Sequence, residues 1–188
     1  IPLLPKTEQR KAELRLSLFL QKEGTTKSLD TFQAPEDEGD LGLQYHKIQN
    51  LRRQKQVEEA ARLMLSVPTK PGAVDCNDGW WIERRALAYG ALRIGKPKLA
   101  FDLVKETGPL SANAKKEQAF MAGWLALRYL NDKETAKIYF IDMRKAADGP
   151  LSRAKANYWL GRIAELEKDD VAARNYYTDS TKDIDTFH

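Results

Sequence analysis

The sequence predicts an all-α protein of antiparallel helical hairpins stacked into a right-handed superhelix, and three observations predict it. Ala and Leu number 22 and 23, whereas Val and Ile together number 13. Ala and Leu lose little side-chain freedom in a helix, and β-branched residues lose more. Apolar residues also recur at the i, i+3, i+4, i+7 spacing of one helix face, as in Val57/Ala60/Ala61/Met64, Ala136/Tyr139/Phe140/Met143 and Ala156/Trp159/Leu160/Ile163. Finally, a small residue followed four positions later by a large one recurs as Ala60–Met64, Ala100–Val104, Ala136–Phe140 and Ala173–Tyr177. Its alanines lie 40, 36 and 37 residues apart. Periods in this range belong to repeated helical hairpins.

In chain order, Thr7 to Gln21 reads as a helix with Ala12, Leu16 and Phe19 on one side. A short helix is expected around Ser28 to Phe32, followed by an acidic linker, Pro35-Glu36-Asp37-Glu38-Gly39-Asp40. Residues 1–42 thus form an N-terminal segment with linker, and residues 43–188 the superhelical domain. Breaks fall at Pro68 to Asp78, Gly95-Lys96-Pro97, Gly108-Pro109, Asn131-Asp132, Gly149-Pro150 and Lys168-Asp169. Glycine takes the left-handed position after a helix, and proline fits the first helical turn. Asp132 and Asp169 are placed to accept hydrogen bonds from unpaired amides at helix starts. About eight helices of ordinary length follow. Each repeated alanine lies on the second helix of a hairpin, where it permits close approach while the larger residue fills the next layer. Gly123, inside a helix, costs about 1 kcal/mol against alanine, so another helix backbone is expected to pass close to it. The last unit, Tyr158-Trp159-Leu160-Gly161 with Ala173 and Tyr177, resembles a tetratricopeptide repeat at its packing positions.

Charge and composition narrow the function classes. The 31 basic and 27 acidic residues give a net charge of +4, and both signs are interspersed. A nucleic-acid domain concentrates charge along one face to displace phosphate counterions, so no nucleic acid is expected as partner. A weakly polyanionic surface such as a cell wall or membrane is equally compatible with this charge. Cys76 is the single cysteine and His46 and His188 the only histidines, which excludes an internal disulfide and leaves few zinc ligands. No metal or cofactor is expected. No run of about 18 apolar residues marks a membrane span. Ile1-Pro2-Leu3-Leu4-Pro5 reads as a processed or trimmed start.

The most individual segment is Asp78-Gly79-Trp80-Trp81-Ile82-Glu83-Arg84-Arg85. Indole faces suit the apolar face of a sugar ring and guanidinium forks suit carboxylates, so Trp80, Glu83, Arg84 and Arg85 form a candidate binding platform. The competing and favoured reading buries Trp81 beneath the next hairpin and pairs Glu83 with an arginine of a neighbouring helix. Arg128 and Arg162 join the candidates from two further segments, Ala122 to Leu130 and Tyr158 to Arg162, whose Trp124 and Trp159 read as core. Glu83 and Glu165 would be general acids only with burial and a partner carboxylate at the right separation. Phosphate-binding loops, a Gly-x-Ser-x-Gly elbow and a metal-binding histidine pair are absent. No catalytic residue is therefore assigned.

Taken in order, these motifs resemble one family. Leu51-Arg52-Arg53, Glu59-Ala60-Ala61, Trp80-Trp81-x-Glu83-Arg84-Arg85, Ala122-Gly123-Trp124-x-Ala126-Leu127-Arg128-x-Leu130 and Tyr158-Trp159-x-Gly161-Arg162 together resemble the α-superhelical region of the soluble lytic murein transglycosylases. The resemblance covers about residues 43–188. It implies a periplasmic, exported protein acting on peptidoglycan glycan strands beside a lysozyme-like catalytic domain, which is expected to be missing from this chain. That domain cleaves after N-acetylmuramic acid to a 1,6-anhydro product through one glutamic acid, and no residue here inherits that role. The expected function is a noncatalytic scaffold in cell-wall turnover, with the family's own catalytic domain as a partner. The alternative is a tetratricopeptide-like adaptor that grips a protein helix or tail in its concave groove.

Overall fold

The computed structural model describes residues 5–20, 39–74 and 76–182. All regular structure among them is helical: α1 (Lys6–Phe19), α2 (Leu41–Arg53), α3 (Val57–Leu65), α4 (Asn77–Arg93), α5 (Pro97–Lys105), α6 (Ala112–Tyr129), α7 (Lys133–Lys145), α8 (Pro150–Glu167) and α9 (Asp170–Thr181). The short helix expected around Ser28 to Phe32 and residues 35–38 of the acidic linker lie outside the described residues.

The chain divides into two compact units, Ile1–Pro68 and Thr69–His188. The first unit ends at the start of the Pro68–Asp78 break. The reason is local packing: α1 lies on α2 and α2 on α3, with Leu14 and Leu18 of α1 closing on Leu43. Asp40, the last residue of the acidic stretch, is the N-cap of α2 and accepts the Leu43 amide at 2.9 Å. It also pairs with Arg15 and, at 3.8 Å, with Lys11.

In the second unit the helices pack in series, each of α4 to α9 on the next, with α4 also touching α6. The hairpins are therefore α4/α5, α6/α7 and α8/α9, and the first unit holds a fourth, α2/α3. All four turns use the same device. Lys55, Gly95, Asn131 and Lys168 adopt positive φ angles of 64°, 72°, 53° and 61°, each five residues before a repeated alanine. The next amide then reaches back to a carbonyl of the ending helix, Gln56 to Leu51, Lys96 to Ala91, Asp132 to Ala126 and Asp169 to Ala164, each at 2.9 Å. Such bonds satisfy carbonyls that a helix end leaves unpaired. Ser111, Asp132 and Asp169 cap the starts of α6, α7 and α9, and Pro97 and Pro150 open α5 and α8.

Packing explains the repeated small and large residues. Ala60, Ala100 and Ala136 are wholly inaccessible and Ala173 nearly so. A Cβ added to Gly123 would stand 3.0–3.2 Å from the Phe140 ring, and one on Gly161 2.6–2.9 Å from the Tyr177 ring. What passes closest to Gly123 is thus an aromatic ring from the second helix of its own hairpin, not the expected backbone. Phe140 and Tyr177 are the large members of the repeated pairs, so each ring seats on the glycine of the preceding helix. Trp159 is half-buried and stacks on Phe140 at 5.6 Å and 13°, joining the last hairpin to the one before it. Trp124, read as core, is only half-buried and meets Tyr129 edge-on at 5.2 Å.

Candidate functional site

The Trp80-to-Arg85 motif lies on α4, and its chemistry points mostly inward. Trp80, Trp81, Glu83 and Arg84 are 7%, 1%, 3% and 3% exposed. The Trp81 indole N–H donates to Glu117 of α6 at 3.2 Å. At the start of α4, Asp78 accepts the Ser111 amide at 3.0 Å.

Arg84 serves the end of α5. That helix stops at an extended residue, Glu106, with φ −133° and ψ 124°, so its last carbonyls receive no amides from a continuing turn. Side chains from three helices supply the donors: Arg84 of α4 reaches the Leu103 carbonyl at 3.2 Å, Gln118 of α6 the Val104 carbonyl at 2.7 Å, and the Tyr139 hydroxyl of α7 the Lys105 carbonyl at 2.9 Å. A cation at a helix C-terminus also complements the helix dipole. Burial pulls the Arg84 pKa down to about 10, with Glu106 opposing the shift, so the guanidinium remains charged at neutral pH. An exposed sugar platform built from Trp80, Glu83 and Arg84 therefore meets a physical objection. These groups sit in the interior, and a ligand would have to unpack α4 to touch them.

The remaining candidates are dispersed. Arg85 is partly exposed and pairs with Glu117. Arg162 is exposed and pairs with Glu165 at 3.4 Å, and Arg128 is exposed near the end of α6. Only Arg85 of the three lines the groove that α4, α6, α7 and the start of α8 enclose, a space of about 570 Å³. On its walls stand Arg85 and Tyr89 of α4, Asn113, Lys116, Glu117, Phe120 and Met121 of α6, Met143 of α7, and Leu151, Ser152 and Lys155 of α8.

The groove is basic above an apolar floor. The Lys155 ammonium lies 3.3 Å from the centre of the Phe120 ring. Burial holds its pKa below the usual 10.5, with Glu117 acting in the opposite direction. Lys116 pairs with Asp148 at 2.5 Å. Sequence reasoning reached Arg85 and missed Lys116, Phe120 and Lys155. Arg85/Tyr89, Lys116/Phe120 and Leu151/Lys155 are each i, i+4 pairs on the first helix of a hairpin. That spacing was the available signal, and it looks the same as an ordinary solvated helix face.

Among the described residues, no group of three or more His, Cys, Asp or Glu side chains gathers as a metal ion would require. No helix there is long and apolar enough to cross a membrane. Compared with protein-family models, curated proteins and solved structures, the chain matches none.

Proposed function

We propose that this chain is the noncatalytic, superhelical portion of a periplasmic soluble lytic murein transglycosylase, holding peptidoglycan strands in place for a lysozyme-like partner domain that cleaves them. One observation carries the reading. Two of the motifs that resemble that family, those around Gly123 and Gly161, occupy equivalent packing places in successive hairpins. Gly123 and Gly161 each seat an aromatic ring from the following helix, Arg84 ties the two helices of its own hairpin, and Trp81 ties that hairpin to the next. Serial packing of α4 to α9 supports a tetratricopeptide-like solenoid, an architecture whose concave faces serve binding. The net positive charge supports contact with a weakly anionic wall.

The test is co-sedimentation of the purified chain with isolated peptidoglycan sacculi, with the soluble fraction analysed for anhydromuropeptides. The reading expects salt-sensitive sedimentation and no anhydro products from the chain alone. Sedimentation no greater than that of an unrelated acidic protein would remove wall contact. Release of anhydro products, lost on changing one carboxylate of the chain, would overturn the noncatalytic role.

A further inference from the structure

The groove on the first helices has a composition that the wall-scaffold reading does not use. Three cations, Arg85, Lys116 and Lys155, line it against one carboxylate, Glu117. Glu117 is engaged on both counts, accepting from the Trp81 indole and pairing with Arg85. Lys155 makes no ion pair among the described residues, and its ammonium is held over the Phe120 ring. A cation–π contact orients a charge without neutralising it. Phe120, Met121, Met143 and Leu151 supply apolar lining beside these cations, with Leu151 exposed.

We infer that this groove docks an acidic peptide segment of a partner protein, whose carboxylates meet Lys155 and Lys116 while its apolar side chains enter the floor between α6 and α8. Charge complementarity commits the occupant to an anion, and the exposed apolar side chains beside the cations suit the mixed acidic and aliphatic character of a peptide. The exposed Leu151 and Tyr89 side chains beside the cations offer apolar contact to the aliphatic side chains of such a peptide. Lys116 exchanges one carboxylate for another on binding, since its present partner Asp148 lies on the exposed loop before α8. The inference stands whether or not the chain touches peptidoglycan.

The experiment screens the full chain against an array of eight-residue peptides. These alternate Asp or Glu with Leu, Ile, Met or Phe, and each is paired with its Asn or Gln counterpart. The strongest binder is then measured by fluorescence anisotropy against Lys155→Glu, Lys155→Met and, as a control outside the groove, Arg174→Glu. Circular dichroism melting confirms that each variant is folded. Acidic peptides should bind about tenfold or more tightly than their amides, since each well-placed charged contact is worth about that factor. Lys155→Glu should lose a similar factor, Lys155→Met less, and Arg174→Glu should match the parent. Equal binding of acid and amide peptides, no binding anywhere on the array, or full affinity in folded Lys155→Glu would overturn the proposal. Displacement of the peptide by glycan strands stripped of their stem peptides, with the same Lys155 dependence, would reassign the groove to sugar. A failure to sediment with sacculi would leave all of these results unchanged.

Discussion

Arg84, Gln118 and Tyr139 come from three different helices and converge on three consecutive carbonyls at the end of α5. Removing a buried donor strands its acceptor, which costs about 1–3 kcal/mol. Arg84→Met is therefore expected to lower unfolding stability by about 2 kcal/mol in urea titrations. Arg85→Ala, which removes a partly exposed ion pair, should change it by less than about 1 kcal/mol. The reverse order would contradict the inward role of Arg84. In sequence the two arginines are adjacent and chemically alike, and only their phase on α4 separates a buried tie from a surface cation. Phase is poorly legible in a helix such as α4, where Trp80, Trp81, Glu83 and Arg84 are buried and the apolar Ile82 among them is exposed. His46 adds a pH dependence to the first unit. Burial lowers its pKa below 6.5, and Arg15 and Arg53 push the same way against a Gln49 hydrogen bond. The unfolded chain then binds the proton more readily, so stability is full above pH 6.5 and falls as pH drops through the folded value. Melting at pH 7.5 and 5.5 should show a larger loss in the parent than in His46→Gln.

The four hairpin turns are elements built alike from unlike residues. Only Gly95 is a glycine, whereas Lys55, Asn131 and Lys168 hold the same left-handed conformation with a side chain. That conformation costs an L-residue about 1–2 kcal/mol, and glycine returns part of the gain through its greater unfolded-state freedom. Lys168→Gly should consequently stabilise by about 0.5–1 kcal/mol, read as a raised melting temperature. A drop would mean that the lysine side chain makes a contact outweighing the strain. At the start of α7, Asp132 accepts the Thr135 amide at 2.9 Å. Asp132→Ala should cost about 1 kcal/mol and Asp132→Asn only a few tenths, because the cap requires an oxygen acceptor rather than a charge. These boundaries were legible wherever a residue with a turn mechanism stood there, as at Pro97, Asp132, Pro150 and Asp169. The turn at Gln54 to Gln56 was not among the expected breaks, since glutamine and lysine carry no turn signal. Lys55 nonetheless takes the left-handed conformation between α2 and α3.

At the scale of the whole molecule, the all-helical class followed directly from composition and spacing. The repeat period also carried over, because Ala60, Ala100, Ala136 and Ala173 mark the same place in four hairpins. The groove did not, because its residues are brought together from helices far apart in the chain and each wears the pattern of a solvated face. The division at Pro68 likewise depends on where α1 packs, which no local pattern encodes. The structural claim on which the functional reading rests is that α4 to α9 form a series in which each hairpin depends chiefly on its neighbours. Such series respond locally to a local defect. Gly161→Ala supplies one, since its Cβ would meet the Tyr177 ring at 2.6 Å; overpacking of this kind costs about 1–3 kcal/mol. Hydrogen exchange of the parent and Gly161→Ala proteins, followed helix by helix, is the most direct measurement. Protection should fall most in α8 and α9, less in α7 through the Trp159–Phe140 stack, and least in α4 and α5. An equal loss from α4 through α9 would contradict the series and remove the basis for reading it as a stacked support.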